Sequence, residues 1–225
     1  MRTLSASLIA ACLLLLAAAC GGGQASPNYS AQAAPRPTGG AAPWSLPRDP
    51  MRLARSAGLT PATREFFSYH VHAHLDVFVN GRHVQVPGGI GIDTTSPDVH
   101  KGVTLGAPSY GCCGTPSQVD DCPQPCISPL HTHDVSGVIH IEAPTKTQTL
   151  FTLGRFFREW SVPLTSSCIG GYCKPRAAIA VFVNGKRHPG NAATIPLRDH
   201  DEIAIVIGRP PHQIPSNYAF DPSEP

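Results

Sequence analysis

The fold class predicted for this chain is α+β: a mixed β-sheet with one packed amphipathic helix, β-grasp-like in its order of elements, with disulfide-stapled loops. Three observations carry the prediction. His70 to Val79 alternates in character and runs into Asn80-Gly81, the strongest short hairpin signal, ahead of a second strand at 82–86. Leu153, Phe156, Phe157 and Trp160 stand at i, i+3, i+4 and i+7 behind Thr152, which marks a capped helix whose aromatic stripe packs as core. Residues 177–183 and 202–207 are nearly continuous apolar runs, as buried strands are. The β-grasp likeness is an analogy of fold and carries no function.

Residues 1–20 hold Arg2, an apolar run through Leu13-Leu14-Leu15-Leu16, and Ala17-Ala18-Ala19-Cys20. A positive start, an apolar stretch too short for a comfortable membrane span and small residues before a cysteine predict a lipoprotein signal peptide. Cys20 is then the lipidated residue and the membrane the partner it reaches, because several acyl chains hold more firmly than one. The expected location is the cell envelope, lipid-anchored outside the cytoplasm. Residues 21–48 are mostly Gly, Ala, Pro, Ser and Gln, with Tyr29, Trp44 and Leu46 the only large apolar or aromatic side chains. They read as a flexible tether, and 49–225 as a single globular domain.

A formal net charge of +2 with scattered Lys and Arg argues against nucleic acid as a partner, and leaves an unknown protein partner open. Eleven histidines against two methionines argue against a methionine-rich copper(I) carrier.

In chain order, Asp49-Pro50 offers a cap followed by proline at the first helical position, and Gly58 stops a short helix over about residues 50–57. The first hairpin follows. Residues 93–129 read as a long loop rich in Pro, Gly, Ser and Cys, and such loops are usually functional or stapled. Outside the leader the cysteines number six, Cys112, Cys113, Cys122, Cys126, Cys168 and Cys173, an even set for which disulfides are the default in an oxidising compartment. Cys168 with Cys173 is the simplest local bridge; the other four could pair across the loop, with adjacent Cys112 and Cys113 seeking separate partners. The spacing Cys-Cys-x8-Cys-x3-Cys matches no common zinc pattern. Leu130 to Glu142 reads as a second hairpin. If 134–137 is its turn, His131 faces His140 and His133 faces Val138. The string Val-Phe-Val-Asn-Gly occurs at 77–81 and again at 181–185, either an old duplication or two hairpins meeting one demand.

Side chains alternate across a strand, so His70, His72, His74 and Asp76 share one face while Ala73, Leu75, Val77 and Val79 share the other. In the second hairpin, His131, His133, His140 and Glu142 share a face opposite Ile139 and Ile141. Neutral imidazole binds zinc and copper, and carboxylates ligate or orient the rings. The preferred metal ligands are His72, His74, His131 and His140, with His70 and His133 in reserve and Glu142 as ligand or support, provided that the two hairpins lie side by side. His83, His100, His188, His200 and His212 are isolated and read as surface residues.

Three motifs, His-x-His-x-His-Leu at 70–75, His-Thr-His-Asp-x-x-Gly-x-Ile-His-x-Glu at 131–142 and Phe-Thr-Leu-Gly-x-Phe-Phe-x-x-Trp at 151–160, carry a resemblance. In them, and over about residues 50–215, the chain resembles a family of secreted proteins and lipoproteins of bacteria and archaea. The resemblance implies export and supplies no activity; the cysteine-rich insert around 110–126 is longer than the family leads one to expect.

The expected function is therefore an extracytoplasmic, lipid-anchored domain that binds a transition metal, zinc or copper, through clustered histidines. One alternative is a metal-dependent hydrolase with Asp134 or Glu142 as general base, although no recognised catalytic motif is present and no catalytic residue is assigned. The other is a structural or partner-binding domain whose histidines form a polar network without metal.

Overall fold

β1 (Tyr69–Val79) is the strand on which the rest is assembled. The computed structural model describes residues 43–66, 68–111, 122–145 and 151–221, all within one unit, Gln32–Pro225. The leader with Cys20, residues 21–42 of the expected tether, and Cys112 and Cys113 lie outside the described residues.

Two helices, α1 (Pro50–Ser56) and α2 (Leu153–Glu159), accompany the strands β1, β2 (Arg82–Val84), β3 (Lys101–Thr104), β4 (Ala107–Tyr110), β5 (Leu130–His131) and β6 (Val138–Ala143). The later strands are β7 (Cys168–Ile169), β8 (Tyr172–Cys173), β9 (Ile179–Val183), β10 (Lys186–His188) and β11 (Glu202–Ile207). Seven strands form one mixed sheet in the order β10-β9-β11-β1-β6-β5, with β2 also on β1. The expected α+β class is the one observed. The eleven residues of β1 let it pair with β6 along Tyr69–His74 and β2 along Val77–Val79, while β11 runs parallel to it along His74–Val79.

One face of β1 presents Ala73, Leu75 and Val77 to the core, where they meet Ile139, Ile141, Ile203 and Ile205 and the α2 side chains Leu153, Phe156, Phe157 and Trp160. Thr152 caps α2 by accepting from the Arg155 N–H, and Asp49 caps α1 by accepting from the Arg52 N–H, each satisfying a donor that the first helical turn leaves open. Both copies of Val-Phe-Val-Asn-Gly fold as hairpin turns with positive φ at Asn and Gly, 52° and 82° at Asn80 and Gly81, 50° and 73° at Asn184 and Gly185. That geometry is the type I′ turn, whose local demand accounts for the Asn-Gly of both copies.

Three local expectations change. Trp44 and Leu46 pack on the core, and the Trp44 ring meets Trp160 edge-on at 5.4 Å, so the final part of the stretch read as tether belongs to the folded domain. The loop at 93–129 contains the ribbon β3–β4. Cys122 pairs with Cys126, which removes both as partners for Cys112 and Cys113, while Cys168 pairs with Cys173 as expected. Disulfides fit an oxidising, extracytoplasmic setting. Among the described residues, no helix is long and apolar enough to cross a membrane.

Candidate metal centre

The second face of β1 meets the matching face of β6 directly. His72 pairs with His140, His140 pairs with His131 on β5, and His70 pairs with Glu142 in the next row. Three rings therefore line up across three neighbouring strands, which stand about 4.8 Å apart in any sheet. The parity that buries Ile139 and Ile141 in the core forces His140 and Glu142 to this side.

His133 behaves differently from the expectation. β5 ends at His131, and Thr132 turns away to exchange hydrogen bonds with the segment 87–92: the Thr132 N–H donates to Ile90 O at 3.0 Å and the Gly89 N–H to Thr132 O at 2.6 Å. His133 thus leaves the sheet without facing Val138 in a ladder, yet its ring returns to the cluster, 3.1 Å from His131 between their Nε2 atoms. The close approach of the 87–92 segment to the strand that carries His131 needs glycine at Gly91, where φ is +73° and a Cβ would collide with Leu130 O.

The ring nitrogens converge. His70 Nε2, His72 Nε2 and His140 Nδ1 form a triangle with sides of 3.0, 3.1 and 3.1 Å. Such a triangle has a circumradius of about 1.8 Å, small enough for all three nitrogens to lie at the usual zinc–nitrogen distance of about 2.0–2.1 Å from a single point. His131 and His133 each have the second nitrogen committed: Nδ1–H of His131 donates to Ser128 O at 2.9 Å and Nδ1–H of His133 to Tyr110 O at 2.6 Å. A carbonyl only accepts, so in the neutral rings both Nε2 atoms carry lone pairs. The same arrangement orients histidines around metals generally. Glu65 Oε1 is 3.3 Å from His133 Nε2, and Glu142 Oε1 lies 3.4 Å from His70 Nε2 and 3.6 Å from His131 Nε2. The other oxygen of Glu142 accepts from the Phe66 N–H at 2.7 Å.

Burial sets the charges. It pulls His72 and His133 down to about 4, lowers His70, and holds His131 and His140 well below the ordinary histidine range, with repulsion from neighbouring rings adding to the effect at His72, His131 and His140. Burial also pushes Glu142 up to about 8. The rings are ready as neutral ligands at neutral pH, and Glu142 holds a proton that a cation would displace.

Four groups of side chains could hold a metal ion: His70, His72 and His140; His131, His133 and His140; Glu65, His131 and Glu142; and His74, Asp76 and Glu202. The last stands apart. His74 donates from Nδ1 to Glu202 Oε2 at 2.7 Å and from Nε2 to Ser136 O at 2.9 Å. Burial alone would lower its pKa, but the Glu202 hydrogen bond and charge outweigh that and raise it. With Nε2 given to Ser136 O and Nδ1 against Glu202, His74 belongs with Asp76 and Glu202 and not with the group around His72. His83, read as a surface residue, also belongs here, with Nε2 2.6 Å from Asp76 Oδ1. Asp134, the other candidate base, accepts from the Ser136 N–H at 2.8 Å within the turn.

After β11 the chain folds back over this face. The Tyr218 ring stacks on His74 at 3.8 Å, and Phe220 lies 4.7 Å from the His200 ring and 6.5 Å from that of His72. A cavity of about 640 Å³, bordered by Leu59, Arg64, Phe66, Pro129 and Phe151, reaches Glu142.

Sequence reasoning missed Glu65 and Glu202. Glu65 sits in irregular chain with no periodicity to read; Glu202 opens an apolar strand whose parallel pairing with β1 only the fold reveals. No family model matches this chain, and no curated protein or solved structure matches it.

Proposed function

We propose that this domain binds a transition-metal ion, zinc or copper, through His70, His72 and His140, with His131, His133 and Glu142 beside them. The observation that carries the reading is the nitrogen triangle. A neutral ring nitrogen either carries one in-plane proton or presents one lone pair. Among three nitrogens in mutual contact at 3.0–3.1 Å, at least one pair must then be two protons or two lone pairs face to face. A hydrogen-bonded polar network cannot satisfy such a triangle, whereas one cation attracts all three lone pairs. A nitrogen-rich set with carboxylate support suits zinc or copper(II).

Metal analysis of the full chain, purified without a histidine tag, tests this. Bound zinc or copper that falls in His72→Ala and His140→Ala is the expected result; a metal-free protein that takes up neither ion at micromolar concentration would overturn it. A second reading, a metal-dependent hydrolase with Glu142 as base, draws support from the cavity that reaches Glu142. Ester or phosphoester hydrolysis by the metal-loaded chain, lost in Glu142→Gln with the ion retained, would favour it.

The setting completes the proposal: a lipid anchor at Cys20 holding the domain to a membrane outside the cytoplasm, and membership of the secreted family that the three motifs resemble. Release of Cys20→Ala from the membrane fraction is the expected outcome; unchanged fractionation would refute the anchor.

A further inference from the structure

We infer that this face holds two metal ions that share the Glu142 carboxylate. The inference rests on the metal-binding reading above and deepens it.

The nitrogens at hand exceed what one ion takes. Five rings, His70, His72, His131, His133 and His140, and two carboxylates, Glu65 and Glu142, crowd one patch of the sheet, whereas zinc sites of this chemistry are almost always four-coordinate. The rings also divide. Among the described residues, no group of convergent ligand atoms contains His70 or His72 together with His131 or His133. His140 alone appears with both pairs.

The second pair poses its own problem of unmatched lone pairs. His131 Nε2 and His133 Nε2 face each other at 3.1 Å, and their Nδ1 protons are already given to Ser128 O and Tyr110 O. No proton remains to lie between them in the neutral rings, so their lone pairs repel unless a cation separates them. The group that holds the first triangle includes neither of these two nitrogens. Glu65 Oε1, 3.3 Å from His133 Nε2, supplies a carboxylate oxygen as third ligand.

Glu142 sits at the junction. Its Oε1 is buried, accepts no hydrogen bond among the described residues, and lies 3.4 Å from His70 Nε2 and 3.6 Å from His131 Nε2, one nitrogen from each half. Oε2 is anchored by the Phe66 N–H, which keeps Oε1 pointed between the halves. With Oε1 shared, the first ion has three nitrogens and one oxygen, and the second has two nitrogens and two oxygens. Both reach four ligands, and carboxylate-bridged ions typically stand about 3.5–4 Å apart. The ligand class is a pair of divalent ions of the zinc or copper(II) type.

Stoichiometry decides. The untagged full chain is loaded with zinc, desalted and assayed for ions per chain, and a copper(II)-loaded sample is followed by electron paramagnetic resonance during titration. The expected result is two ions per chain in the wild type, one in His133→Ala and one in His70→Ala, with the copper signal weakening as the second equivalent couples to the first. The copper titration needs no variant and so holds even if a substitution disturbs folding. One ion per chain, with a copper signal that plateaus after one equivalent, would overturn the second site and leave the metal-binding reading standing. No ion at all would overturn both.

Discussion

Proton release on metal binding gives the sharpest quantitative test of the buried cluster. The perturbation is zinc added to metal-free chain at pH 6, where a zinc-bound water, with a pKa near 7, keeps most of its protons. Glu142, pushed up to about 8, is almost fully protonated there and gives up about one proton when its carboxylate ligates. His72 and His133, drawn down to about 4, are each only about 1% protonated at pH 6 and release almost nothing. Five histidines at the ordinary value near 6.5 would each be about three-quarters protonated and release about 4 protons together. Calorimetric titration in two buffers of different ionisation enthalpy counts these protons. The structure predicts no more than about two per chain, one from Glu142 and at most part of one from His70, whose pKa burial lowers, with about one fewer in Glu142→Gln. Release of three or four protons would show rings with ordinary pKa values and would refute the burial argument.

Three further outcomes follow from the same geometry. Metal at a free concentration of about 100 times its dissociation constant should stabilise the fold by about 2.7 kcal/mol, seen as a rise in Tm that a chelator reverses; an unchanged Tm would count against a folded-state site. Gly91→Ala should lower stability by at least about 1–2 kcal/mol in a urea melt and weaken zinc binding, because the new Cβ meets Leu130 O and pushes the 87–92 segment off the strand that carries His131; wild-type binding would show that this contact does not position the ring. Glu159 is fully buried on α2, and burial raises its carboxyl well above the usual range. Its folded pKa therefore exceeds the unfolded one, so its destabilising effect is absent below about 4.5 and grows as pH rises; Glu159→Gln should gain stability relative to wild type at pH 8 and little at pH 4.5, and equal gains at both would refute the assignment.

Much of the site was legible in the residues because strand parity is a local property. The alternation at 70–79 separated histidines from the core residues Ala73, Leu75 and Val77, and Ile139 and Ile141 did the same for His140 and Glu142. The pairing of His131 with His140 followed from counting across the turn. What parity could not supply was long-range chemistry. His74 has the right spacing to join His72, but Glu202, 128 residues away, hydrogen-bonds its Nδ1 through a parallel pairing that no local pattern announces. His133 left the predicted ladder because Thr132 bonds to Ile90, so its ring reaches the cluster from a loop. Glu65 arrives from irregular chain, and Trp44 packs with its aromatic partners from a stretch whose composition reads as tether. In each case the deciding partner was remote in sequence.

Anomalous diffraction at the zinc edge, from crystals of the untagged chain loaded with zinc, tests the central claim most directly. The account predicts anomalous density about 2.0–2.1 Å from His70 Nε2, His72 Nε2 and His140 Nδ1. Anomalous density absent from this face, or found only at exposed side chains such as His200, would contradict it.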